Sequence, residues 1–193
     1  KMKLFHTFPV IVLISLLLPA CKSDQVTPRA KHVILIGLDG MGSYGLQRAA
    51  TPYMNNIAKK GALSVKARSV LPSDSSPNWA SMLTGAIPNQ HGITSNDWQP
   101  NNHNIEPSLK NKIGLFPSIF DNIKSQRPDY KVYAFTEWKG LGRMFDSSVP
   151  DKVVNSRDGA ELLNAAIGSF FSDKPEFLFV AINETDHAGH EFG

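Results

Sequence analysis

The sequence predicts an α/β fold, a mostly parallel sheet sandwiched between helices, and two observations carry that reading. Short apolar runs rich in β-branched residues alternate along the chain with segments bearing helix start and stop signals. Chemically active side chains also recur just beyond the ends of those runs, where α/β sheets gather their functional groups. Val33 to Ile36 is a continuous apolar run, as expected of a strand covered on both faces. Thr51-Pro52 opens a helix, with Thr51 as N-cap, Pro52 at the first position and Gly61 as the stop. Leu63 to Val70 reads as a second strand. Ser76-Pro77 starts another helix, capped by Ser76 and closed by Gly85, and a third begins near Phe116-Pro117. Strand Lys131 to Thr136, a helix over Asp158 to Phe171 and strand Glu176 to Asn183 complete the alternation. Right-handed crossovers between such strands make the sheet parallel. Gln99 to Lys112 is polar and Asn-rich, so it reads as a surface excursion, and no repeat or heptad is visible.

Composition narrows the function classes. A hydrophobic content of 41% with 19% charged residues describes an ordered globular chain rather than a disordered one. The formal charge of +3 falls to +1 without Lys1 and Lys3, which offers no basic field for gripping nucleic acid. Those two lysines precede an apolar stretch, Phe8 to Leu18, too short to span a bilayer and read as a secretory h-region. Leu18-Pro19-Ala20-Cys21 resembles the bacterial lipobox, which predicts cleavage before Cys21 and lipidation of that residue. Cys21 is the sole cysteine, so no intrachain disulfide can form. The domain reading is therefore a lipoprotein signal peptide over 1–20, a polar tether over 21–31 and a catalytic segment over 32–193. The expected location is the bacterial cell envelope, with the protein anchored to the membrane by lipid.

Five positions are candidates for chemistry. Gly37-Leu38-Asp39-Gly40 ends a buried strand, and a carboxylate there must be hydrated, capped or metal-bound. Ser75, at the start of a helix, faces a positive dipole end and free N–H groups, a setting in which a nearby divalent metal would activate its hydroxyl. Asp186 and His190 stand four residues apart in Glu184-Thr185-Asp186-His187-Ala188-Gly189-His190, read as one tight turn at a strand's end that offers zinc mixed oxygen and nitrogen ligands. Glu137 also falls just past a predicted strand. The common placement of Asp39, Ser75, Glu137 and Asp186 points to one shared site.

Pro72-Ser73-Asp74-Ser75-Ser76-Pro77-Asn78, then Leu83-Thr84-Gly85-Ala86-Ile87-Pro88 and His91-Gly92-Ile93, resembles the nucleotide pyrophosphatase/type I phosphodiesterase family of the alkaline phosphatase superfamily. That family usually carries threonine as nucleophile, a position that falls on Ser75. Its oxyanion-stabilising asparagine follows by 21 residues and falls on Asn96. Asp39 matches the first metal aspartate, and Asp186 with His190 matches the Asp-x-x-x-His pair of the other zinc. The resemblance implies an alkaline-phosphatase-like sandwich of which only the N-terminal part is present. It also implies two divalent metal ions, zinc by preference, a phospho-serine intermediate and a phosphoester substrate such as a nucleotide. Lys139 and Arg143 are candidate phosphate-binding residues, although some phosphomonoesterases of the superfamily space this pair Lys-x-Arg. Trp98, close to Asn96, is a further substrate-binding candidate, while His91 is expected to hold a turn. The family completes its site with a later Asp-His pair and a further histidine that this chain does not reproduce. With Lys1 preceding Met2, the chain is read as a truncated piece, inactive alone.

Other readings diverge at specific residues. A sulfatase would need arginine where Ala80 stands in Ser75-Ser76-Pro77-Asn78-Trp79-Ala80, which argues against that chemistry. A phosphomonoesterase of the same superfamily, or a non-catalytic surface lipoprotein with a degenerate phosphoesterase fold, stays open at this stage.

Overall fold

The structure, a computed structural model, describes residues 30–192. The expected signal peptide, nearly all of the expected tether and the proposed lipidation site Cys21 lie outside the described residues. In chain order the elements are β1 (Val33–Leu38), α1 (Ser43–Arg48), α2 (Pro52–Lys60), α3 (Ser75–Thr84), α4 (Pro88–His91), α5 (Ile119–Gln126), β2 (Val132–Thr136), a 3-10 helix (Lys139–Arg143), β3 (Lys152–Asn155), α6 (Gly159–Asp173), β4 (Phe177–Ile182) and α7 (Glu184–Phe192). The strands form one sheet in the order β1-β4-β2-β3, and every pairing is parallel. No helix among the described residues is long and apolar enough to cross a membrane.

The alternation of side chains along β2 and β4 divides the core in two. Val132, Ala134, Phe177, Phe179 and Ala181 face one side, where they pack with Trp79, Ala80 and Leu83 of α3 and Phe120 of α5. Tyr133, Phe135, Leu178 and Val180 face the other, against Leu162 and Ala166 of α6. This period-2 division is what a strand covered by helices on both faces requires. Phe120 is the hub of the larger cluster, with edge-to-face contacts to Phe145, Phe177 and Phe179.

Helix ends follow the punctuation in the sequence. Gly85 closes α3 in the left-handed conformation, with φ of 67°, and its N–H returns to the Ser81 carbonyl. Asp158 caps α6 by accepting from the Glu161 N–H at 2.9 Å. Ser118 and Asp121 form a reciprocal capping box on α5, so that helix starts at Ile119 rather than beside Pro117.

Four expectations need correction. Leu63 to Val70 is not a strand: the segment is irregular, and the Val70 N–H donates to the Asn78 side chain at 2.9 Å. Its apolar residues find no strand partner among the described residues, and strand formation depends on pairing more than on composition. β1 is the sheet's edge and is not covered on both faces; Val33 to Ile36 are 37–57% exposed. Its apolar run supplied both faces for burial, but whether neighbours cover them is decided elsewhere in the chain. Thr51 occupies the N-cap position of α2 without making a side-chain capping bond. Finally, Asp74 rather than Ser76 is the N-cap of α3, and Ser76 is a buried residue inside the first turn.

Truncation of Phe120 to alanine empties the centre of the larger cluster. It is expected to lower stability by about 3–5 kcal/mol, read from urea unfolding of the full-length protein.

Candidate active site

The site is built from the carboxyl end of β1, the start of α3 and the start of α7. The Asp39 N–H donates to the Ile182 carbonyl at 2.9 Å, extending the β1–β4 ladder by one residue and fixing the aspartate at the sheet's edge. Its carboxylate then collects three donors. Oδ1 accepts from the Gly40 N–H at 2.9 Å and from the Ser75 hydroxyl at 3.2 Å, and Oδ2 accepts from the Trp79 indole N–H at 2.9 Å. Ser75 and Trp79 are four residues apart on α3, so they share a helix face and reach the same group.

Ser75 does not follow a strand, contrary to the reading that placed it there, but stands in the first turn of α3. The next N–H, that of Ser76, donates to Asn96 Oδ1 at 2.8 Å, which fastens the asparagine side chain to the same helix start. Pro77 sits in this first turn, where its missing N–H deprives no intrahelical bond. Arg143 closes the far side: its Nη2 donates to the Asn96 carbonyl, and its guanidinium lies 5.8 Å over the Trp138 ring.

Asp186 and His190 lie on α7, not in a tight turn, one helical turn apart on the same face, with His190 Nε2 3.6 Å from Asp186 Oδ1. Asn183 Nδ2 donates to Asp186 Oδ2 at 3.3 Å. The backbone at Gly40 runs against α7 and so brings the segments that carry Asp39 and Asp186 side by side. A Cβ on Gly40 would stand 2.6 Å from the Asp186 Cα, and the residue's φ of +69° already favours glycine. The Thr185 hydroxyl donates to the Asp39 carbonyl and ties the same two segments together.

The substrate-binding candidates separate. Lys139 is exposed and lines a cavity beside Glu137, whereas Arg143 reaches Asn96. Trp98 is 4% exposed, packed in the larger core and stacked on His103, so its ring presents no open face to a substrate. His91 holds a turn, as expected: Nδ1 accepts from the Ile93 N–H at 3.1 Å and Nε2 pairs with the Ser81 hydroxyl at 3.0 Å. Burial pushes its pKa down to about 4. Sequence reasoning missed the roles of Trp79, Thr185, Asn183 and Gly40. Only Trp79 left a usable signal, its spacing of four from Ser75.

A parallel sheet clad by helices, with a hydroxyl at a helix start bonded to a strand-end aspartate, defines an alkaline-phosphatase-like α/β protein. Solved structures share that architecture. Murine ectonucleotide pyrophosphatase / phosphodiesterase 5, an inactive variant in complex with AMP, superposes with a TM-score of 0.67 at 22% identity, over 85% of this chain and 46% of that one. Phosphonoacetate hydrolase from Sinorhizobium meliloti, in complex with phosphonoacetate, gives 0.59 at 19% identity over 81% of this chain and 47% of that one. Residues 33–193 match the Type I phosphodiesterase / nucleotide pyrophosphatase family, and the chain belongs to it. The Bis(5'-adenosyl)-triphosphatase ENPP4 of Bos taurus is 24% identical over 192 residues, covering 95% of this chain and 42% of the relative. Human ectonucleotide pyrophosphatase/phosphodiesterase family member 1 is 26% identical over 187 residues, covering 91% and 20%. The chain thus spans less than half the length of these relatives.

Two outcomes test the geometry. Gly40→Ala is expected to disturb the Asp39–Asp186 junction and lower activity at least tenfold, by roughly the 1.4 kcal/mol that tenfold represents, whereas Gly142→Ala, with open space around its Cβ, leaves activity unchanged. For His91 the unfolded chain gains a proton as pH falls through 6.5, while the folded protein resists until about 4. Stability is therefore lost between those values on acidification. His91→Gln is expected to flatten that loss, measured as the urea midpoint at several pH values across the window.

Proposed function

We propose that the protein is a metal-dependent phosphoester hydrolase of the phosphodiesterase type, acting through a phospho-serine formed on Ser75. The observation that carries this reading is the Ser75 hydroxyl held 3.2 Å from Asp39 Oδ1 beside an asparagine fastened to the next N–H. The donor chemistry fits divalent ions: a carboxylate with a hydroxyl in one pair, a carboxylate with an imidazole in the other. Asp39 and Ser75 would hold one ion, Asp186 and His190 the second. Among the described residues no group of three or more His, Cys, Asp or Glu side chains is gathered to hold a metal, so each pair offers two donors. Bound there, such ions supply Lewis-acid polarisation of the phosphoryl oxygens and a lowered hydroxyl pKa.

The chain's own residues account for the rest. Ser75 Oγ forms a bond to phosphorus as the bond from phosphorus to the leaving oxygen breaks. The serine proton leaves to solvent, and the departing oxygen takes a proton from solvent. Asn96 Nδ2 and the N-terminal end of α3 stabilise charge on the nonbridging oxygens. Water then attacks phosphorus as the bond from phosphorus to Oγ breaks, its oxygen staying on phosphorus and one of its protons going to Oγ, which restores Ser75. The names of the relatives, a triphosphatase and pyrophosphatase/phosphodiesterases, support diester or anhydride substrates, nucleotides among them, over monoesters. Lipidation of Cys21 and placement on the bacterial cell envelope are part of the same proposal.

In the full-length protein Ser75→Ala is expected to lower hydrolysis of bis(p-nitrophenyl) phosphate by at least ~10³-fold, with Ser75→Thr retaining activity. Chelation should abolish turnover and added zinc restore it. A Ser75→Ala variant that still hydrolyses the diester at the wild-type rate would refute the assignment.

A further inference from the structure

A cavity of about 480 Å³ opens at the carboxyl ends of β2 and β4, lined by Glu137, Trp138, Lys139, Arg157, Asn183 and His187. Its unusual member is Glu137, which is 3% exposed. Oε2 accepts from the Asn183 N–H at 2.6 Å, a bond that ties the end of β2 to the entry into α7. Oε1 has no hydrogen-bond partner among the described residues. It is buried against the His187 side of the cavity, and the Nδ1 of that exposed side chain stands 4.0 Å away, beyond hydrogen-bond range, so a ligand reaches the oxygen by displacing His187. A buried carboxylate oxygen without a donor is costly. The structural bond through Oε2 does not explain it, because that bond leaves the second oxygen unused.

The surroundings say what donor would suit. Lys139 and Arg157 are exposed on the lining, so the cavity pairs an inner anion with outer cations. Those cations oppose a bare metal ion. They complement a ligand that is anionic at one end and an N–H donor at the other, and a volume of 480 Å³ suits a small molecule. A quaternary ammonium brings no N–H to the orphan oxygen. The cavity also adjoins the active site on two sides. Asn183 donates to Asp186, and Trp138 lies under the guanidinium of Arg143, which holds the Asn96 carbonyl.

We infer that this cavity receives the ester arm that stays on phosphorus when the leaving group departs, and selects arms that end in an amino or ammonium group, with Glu137 Oε1 as acceptor. The inference rests on the phosphoester-hydrolase reading for the identity of the site, and its test separates the two. In the full-length protein, aminoethyl p-nitrophenyl phosphate is compared with ethyl p-nitrophenyl phosphate in kcat/KM. Binding of aminoethyl phosphate is compared with that of ethyl phosphate by calorimetry. The wild-type protein is expected to favour the amino member of each pair by about tenfold, because a polar site rejects the analogue that leaves its group unpaired. Glu137→Gln can still accept from the Asn183 N–H, yet it presents an amide to the ligand, so both preferences should collapse toward one. Equal wild-type binding of the two phosphates overturns the inference without any variant, and so does a preference that survives in Glu137→Gln. If neither diester is hydrolysed while the Glu137-dependent binding preference persists, the catalytic reading fails and the cavity assignment stands. If both diesters are hydrolysed at equal rates and the two phosphates bind equally, the reverse holds.

Discussion

The Asp39 carboxylate is the constraint around which the site is organised. Its main chain is the last rung of the β1–β4 ladder, and its side chain accepts from Gly40, Ser75 and Trp79. One residue therefore converts the end of a strand into a fixed reference for the start of α3. A carboxylate satisfied by three donors is oriented before any substrate arrives, and that preorganisation is what electrostatic catalysis needs. Trp79 belongs to both systems: its indole N–H orients Asp39 while its ring packs edge-to-face on Phe179. The core and the site are thus joined by one side chain.

The second half of the candidate site follows from backbone proximity rather than from side-chain attraction. Gly37 lies under the Trp79 ring so closely that a Cβ there would stand 2.4 Å from the indole, and Gly40 lies against the Asp186 backbone. These two contacts set how near α3 and α7 approach the end of β1. Thr185 adds a hydrogen bond to the Asp39 carbonyl, so the entry into α7 is held from both chain segments. Asn96 contributes in the same manner from a distant loop. Its Oδ1 is committed to the Ser76 N–H and its carbonyl to Arg143, which fixes the amide that faces the helix start.

Much of the fold was legible because β2, β4 and α6 carry their own evidence: continuous apolar runs and an N-cap three residues before a glutamate. β3 was not, since Lys152–Asn155 has four residues and a half-exposed pattern that resembles a loop. Leu63 to Val70 misled for the converse reason: its composition suits a strand, and no partner pairs with it. Within the site, the positions of Asp39, Ser75, Asn96, Asp186 and His190 were named from motif spacing, but the helical setting of the last pair was not foreseen. Glycine and polar residues in Glu184–His190 suggested a turn, while the Asn183 carbonyl in fact accepts from Asp186 and His187 and opens a helix. The contacts of Gly40, Thr185 and Asn183 are tertiary, and no local pattern encodes them.

β1 presents a tension between position and protection. It carries Asp39, yet it is the strand least covered among the described residues, with its apolar residues half exposed and one edge unpaired. Edge strands open at lower free energy than central ones, and a site hung on such a strand would blur if burial alone held it. What holds it instead is concentrated at its carboxyl end: the rung to Ile182, the Gly37–Trp79 contact and the Gly40–Asp186 contact. The aspartate is thus referenced to α3 and α7 as much as to its own strand. In this fold the stiffness of the candidate site resides in the junction between elements, and the strand supplies the point where they meet.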